Sequence, residues 1–167
     1  MLKGILMSLI LIACAGAGRL LSNARKRRTE ALSEVLTAMR VLRLRMMNSM
    51  ETLGILLRKS DSVVFKAVGN ALWEGEGLNE CWRHVRDAAV RRGGALDSLT
   101  DADMALLDDF FSKLGNSGRD EQGRLFSESI AALEDAQTHA RDKYREAQRL
   151  YTSLGALIGA GVCILIA

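Results

Sequence analysis

Two stretches without charge stand at opposite ends of this sequence, with a polar segment between them. From Gly4 to Gly18 the chain reads GILMSLILIACAGAG, with Lys3 and Arg19 at its edges and Leu20 and Leu21 beyond. Counted from Met1 to Leu21, this is about the 20 residues a helix needs to cross a bilayer. Charges at the edges of such a span can snorkel to the headgroups. From Leu150 to Ala167 the chain reads LYTSLGALIGAGVCILIA, again without charge. As a helix it is ~27 Å long, just short of a ~30 Å hydrocarbon core. It fits standing nearly upright, or with Tyr151 in the interfacial aromatic belt.

Composition says what lies between the spans. There is no proline in 167 residues, where an average usage of about 5% predicts roughly eight. Proline is tolerated least inside helices and used most in loops, so the chain reads as mostly helical. An aromatic content of 5% argues against a β-sandwich or barrel. Apolar and charged contents of 49% and 26% exclude a disordered or collagen-like chain.

The flanks give the orientation. Arg25, Lys26, Arg27 and Arg28 follow the first span. Arg141, Lys143, Arg145 and Arg149, against Asp142 and Glu146, precede the second. The positive-inside rule places residues 22–149 in the cytoplasm and both termini outside. The net charge is +3, and most of it sits between Arg25 and Arg45. Anionic headgroups explain that stretch better than nucleic acid does, because no binding motif or interleaved aromatic accompanies it. A rival reading takes Leu11-Ile12-Ala13-Cys14 as a lipoprotein cleavage box. Cys14 would then be a lipidated N-terminus and the domain an exported, lipid-anchored structural protein. Against it, the basic region before the apolar run is only Lys3, and the run continues past Cys14. Cys14, Cys81 and Cys163 show no pairing or zinc-like spacing and read as small apolar residues in a reducing compartment.

Helical periodicity fills the centre. Leu32, Val35, Met39, Leu42, Met46, Met50 and Leu53 step by threes and fours, which predicts one long helix continuous with the first span. Arg40, Arg43 and Arg45 fall off that stripe. Met39, Met46, Met47 and Met50 read as core, with an adaptable partner surface as the alternative. Ser60 or Asp61 caps a short helix with Val63, Val64, Ala67, Val68 and Leu72 inward, broken at Glu74-Gly75-Glu76-Gly77. A second short helix presents Leu78, Cys81, Trp82, Val85 and Ala89, and ends at Gly93-Gly94. Thr100 and Asp103 form a capping box before a helix with Met104, Leu107, Phe110, Phe111 and Leu114 inward. Gly115 is its C′ residue. After Asn116-Ser117-Gly118, the positions Phe126, Ile130, Leu133, Gln137, Ala140, Tyr144, Ala147, Tyr151 and Leu154 predict one helix from about Arg119 to Ala167, ~73 Å long. The fold class is all-α: a cytoplasmic helical bundle at 22–149, whose two long helices continue into transmembrane spans at 1–21 and 150–167.

A search for chemistry returns little. There is no GxxxxGK[ST], GxSxG, HExxH or CxxC. His84 and His139 lie on amphipathic segments as solvated or core-edge residues. Asp101, Asp103, Asp108 and Asp109 cluster on one helix but lack the glycine and glutamate of a calcium loop, and the first two suit a helix N-terminus. No catalytic, cofactor-binding or metal-ligating residue is assigned. Gly155 and Gly159 make a GxxxG with Ala156, Ala160 and Gly161 nearby. The first span carries Ala13, Ala15, Gly16, Ala17 and Gly18. Small residues let membrane helices pack closely, within one chain or between subunits of a homo-oligomer.

One run is more specific. Phe110 to Gln122, FFSKLGNSGRDEQ, resembles the F-x-x-L-G-x-S-x-x-x-x-Q signature of the stage III sporulation protein AB family, through Leu114, Gly115, Ser117 and Gln122 above all. The order of the remaining features agrees over essentially the whole chain: a terminal span, a long first helix, Trp82, a long final helix rich in Glu, Arg and Ala, and an L-G-x-L-x-G span. The sequence departs from the family at Glu51-Thr52-Leu53-Gly54, where a proline-containing turn is expected. The resemblance implies a non-enzymatic component of the sporulation channel between mother cell and forespore, in the membrane on the mother-cell side. It further implies a soluble domain similar to the cytoplasmic domain of the type II secretion platform protein. Such a platform couples a cytoplasmic ATPase, the stage III sporulation protein AA of the same system, to membrane ring components.

Overall fold

A computed structural model of the chain describes the backbone of residues 26–116 and 118–166, and the side chains of 26–116 and 118–146. The first predicted span (1–21), Cys14, Arg25 and Ser117 lie outside the described residues. So do the side chains of the second span, Cys163, Gly155 and Gly159 among them. Among the described residues there are helices and no strands. No helix there is long and apolar enough to cross a membrane.

Residues 26–48 are helical and form α1. α2 covers Leu53–Arg58, α3 Val63–Trp73, α4 Leu78–Ala89, α5 Asp101–Lys113 and α6 Arg119–Ile166. The stripe on α1 buries Leu32, Val35, Met39 and Leu42, with Leu36 beside them. Its continuation differs from the periodic expectation. The helix stops at residue 48: the Ser49 amide makes one last bond to the Arg45 carbonyl, and polar side chains then take the local backbone groups. Asn48 donates to the Leu44 carbonyl, and the Ser49 hydroxyl accepts from the Glu51 amide. Met50 therefore drops out of the helical register and is 96% exposed, while Leu53 opens α2 and packs at the edge of the core.

α2 and α3 form a tight hairpin. A Cβ on Gly69 of α3 would sit 2.5 Å from the Arg58 amide nitrogen, so only glycine allows the two backbones this close. The N-cap position of α3 is Ser62, not Ser60 or Asp61, and its side chain makes no capping bond. The face of α3 is also turned from the expectation. Val64, Phe65, Val68 and Gly69 are buried and Val63 is exposed. α4 buries Cys81 and Trp82 as the spacing predicts.

An aromatic chain fills the centre. Trp82 of α4 stacks on Phe111 of α5 with centroids 4.2 Å apart. Phe111 also meets Phe65 of α3 at 5.4 Å. Phe110 meets Phe126 of α6 edge-on at 5.1 Å. Such pairs add about 0.5–1.5 kcal/mol each to the area they bury. Phe126, Ile130, Leu133, Gln137 and Ala140 form the buried stripe of α6.

α1 and α6 lie side by side and antiparallel. Arg40 Nη2 meets Glu134 Oε1, and further along, Met47 packs over Gly123. Residue numbers rise on one helix as they fall on the other. The start of described α1 and the C-terminal half of α6 are thus at one pole of the bundle, and the turns at 49–52 and 114–118 are at the other.

Candidate functional site

Leu114, Gly115 and Gln122 of the LG-x-S…Q run converge on the joint between α5 and α6. α5 ends as Leu114 turns to an extended backbone and buries its side chain in the core. Gly115 follows with φ +82°, a left-handed conformation that costs any other residue about 1–2 kcal/mol. Gln122, in the first turn of α6, is buried to 1% exposure and reaches back across the turn. Its Oε1 accepts from the Gly115 amide at 3.2 Å, and its Nε2 donates to the Lys113 carbonyl at 3.3 Å. A side-chain amide can satisfy a donor and an acceptor together, and here it closes both open ends of the turn. Leu114, Gly115 and Gln122 therefore act as a clasp, and the described geometry gives them a structural task.

A second joint holds the opposite pole. Arg28 of α1 donates from Nε to Asp103 Oδ2 at 2.8 Å and from Nη2 to Oδ1 at 2.9 Å. Asp103 is 1% exposed and also completes the capping box of α5. Its Oδ2 accepts from the Thr100 amide and hydroxyl, while the Asp103 amide donates to Thr100 Oγ1. Burial pushes this carboxyl up. The hydrogen bonds from Arg28 and Thr100 and the guanidinium charge outweigh that, and it sits below the usual carboxylate range. The Arg28 guanidinium is correspondingly raised, chiefly by its bond to Asp103. Next to this pair, Arg27 meets Asp97 at 3.5 Å. Arg28 thus faces protein, which corrects its reading as a headgroup contact. Asp103 is more than a macrodipole partner.

Asp108 and Asp109 of α5 are engaged separately. Asp108 accepts from Trp82 Nε1 at 2.6 Å and from Arg86 Nη1 at 3.0 Å. Asp109 pairs with Lys113 one turn on. No group of His, Cys, Asp and Glu able to hold a metal occurs among the described residues. His84 and His139 are exposed beside Glu76 and Asp135. Cys81 is a buried free thiol, and burial together with the carboxylates of Glu76, Glu80 and Glu74 pushes it up, away from the reactive thiolate. A shallow cleft of about 610 Å³ between α5 and α6 is walled by Asp109, Lys113, Glu121 and Arg124. In it the Ser112 hydroxyl donates to the Asp109 backbone carbonyl.

Spacing alone missed the Arg28–Asp103 pair. The capping box was visible, but its cationic partner lies 75 residues away in sequence. It also missed the bond from Trp82 to Asp108. The signal there was an indole N–H on a buried face, which requires an acceptor.

The fold and these joints define an all-α protein in which the buried side chains of Asp103 and Gln122 fasten helices to one another. The sequence profile of the stage III sporulation protein AB family matches residues 3–167, and the chain belongs to that family. A solved structure of stage III sporulation protein AB shares the fold, with a TM-score of 0.60 at 17% identity, covering 71% of this chain and 97% of that one. No curated protein matches the chain.

Proposed function

We propose that the chain is a non-enzymatic platform of the sporulation channel, held by spans at 1–21 and 150–167 in the mother-cell membrane around the forespore. In this reading residues 22–149 lie in the cytoplasm and both termini outside. The domain couples the ATPase of the system, stage III sporulation protein AA, to the channel's membrane ring components. The antiparallel pairing of α1 and α6 carries the reading, because it sets the start of described α1 and the C-terminal half of α6 at one pole. A hairpin with two membrane feet needs that arrangement. The opposite pole, with the 49–52 turn and the clasp, is then the surface farthest from the bilayer and open to a cytoplasmic partner. The joints of the bundle suit transmission of force better than turnover of a substrate.

Binding of the detergent-solubilised full chain to the purified ATPase tests the coupling. Saturable binding at micromolar concentration is expected. No binding at tens of micromolar overturns direct coupling.

A further inference from the structure

The α4–α5 connection, residues 90–100, carries an exposed sequence that neither joint uses. Val90 is 44% exposed, and Arg91, Arg92 and Ala95 are exposed beside it. Neither arginine forms an ion pair among the described residues; Asp87, Asp101 and Asp108 line a shallow cleft with Arg91, the last of them bonded to Trp82 and Arg86. The nearby Asp97 is already engaged, by Arg27 and by the Gly93 amide at 2.9 Å.

The loop is built rather than loose. Leu96 is buried in the core and its amide bonds to the Ala89 carbonyl. Gly93 turns at φ +86°, and a Cβ on Gly94 would fall 2.1 Å from the Ala89 oxygen. Two guanidinia and one aliphatic side chain are therefore presented on a fixed base.

Position gives this patch its partner. The Arg27–Asp97 and Arg28–Asp103 pairs hold the connection against the start of described α1. Arg27 is six residues beyond Leu21, a reach of about 20 Å even fully extended. Resting on the two-span reading above, we propose that the α4–α5 loop is a third membrane contact, in which Arg91 and Arg92 bind anionic lipid headgroups and Val90 enters the interface. Guanidinium groups bind phosphate oxygens in bidentate fashion, and basic residues near an anionic surface contribute additively to membrane attraction. The loop then adds a third point of attachment, which fixes the tilt of the bundle against the membrane.

The test uses the full chain in vesicles, with Cys14 and Cys163 replaced by alanine and a fluorophore on Ala95→Cys or, as control, on Met50→Cys. The two sites stand about 30 Å apart along the bundle. Vesicles contain a headgroup-nitroxide lipid in either mixed phosphatidylglycerol and phosphatidylcholine or phosphatidylcholine alone. The expected result is quenching at position 95 in the anionic vesicles, weak quenching there in phosphatidylcholine, and none at position 50. Arg91→Glu with Arg92→Glu should abolish it, whereas the charge-matched Arg43→Glu with Arg83→Glu should not. Unchanged thermal melts show that each variant folds. A chain that floats with the vesicles but leaves position 95 as unquenched as position 50 overturns the loop contact alone. A chain that does not float overturns the two-span reading and the contact with it.

Discussion

A carboxylate as enclosed as that of Asp103 stays ionised only because Arg28 and Thr100 replace the water it has lost. Removing one partner leaves the other charge buried without compensation, which costs about 3–5 kcal/mol. That is a large fraction of the roughly 5–15 kcal/mol that holds a domain together. Arg28→Ala, which leaves the enclosed carboxylate with Thr100 alone, should lower urea stability at pH 7 by about 3 kcal/mol, and Asp103→Asn should cost less, because the Arg28 side chain is 21% exposed. The pH dependence follows from the direction of the shift. Asp103 is held below its unfolded value of about 3.9, so its contribution is complete above that value. It disappears as pH falls through the lower folded value. Urea midpoints from pH 6 down to pH 2 should fall less steeply for Asp103→Asn than for the native chain, and equal slopes would remove Asp103 from the account. The clasp predicts a smaller effect. Gln122→Ala leaves the Gly115 amide and the Lys113 carbonyl without this partner, for a loss of about 1–3 kcal/mol measurable in the same titration.

Between elements, close approach decides what periodicity could not. Alanine is about 1 kcal/mol better than glycine inside a helix, so propensity alone favours Gly69→Ala. The backbone of Arg58 occupies the space that its methyl requires. Separating packed elements typically costs 1–3 kcal/mol, and a thermal melt should show Gly69→Ala net destabilised; a stabilised variant would mean that α2 moves aside freely. The sequence was informative where one rule acted within one helix. The Thr100–Asp103 box, the Gly115 turn, the stripe of α6 to Ala140 and the inward face of α5 could all be read from local spacing. It was silent where two elements meet. Phe65 is buried because α3 rotates to follow Phe111, and Val63 is exposed for the same reason. Met50 continued the 3/4 stepping of α1, but Asn48 and Ser49 end the helix before it. Arg28 looked like one of four basic residues in a flank until the fold brought a buried carboxylate to it. The same divide runs through the LG-x-S…Q run: its turn was legible, and the return of Gln122 across that turn was not.

For the whole molecule, the prediction is topological. Impermeant thiol reagents applied to intact cells should label cysteines placed at positions 1 and 167 and should not label Met50→Cys. Labelling of position 50 together with cleavage before Cys14 would instead favour the exported, lipid-anchored form. α6 has a further consequence. It is one helix from Arg119 to Ile166, 48 residues and about 72 Å at 1.5 Å per residue, with Gln122 gripping the end of α5 at its base. A rod with no joint along its length behaves as a lever. Because α6 runs without a break from its contact with Phe110, a rotation of the bundle about the Phe110–Phe126 contact displaces the far end of the helix more than its base.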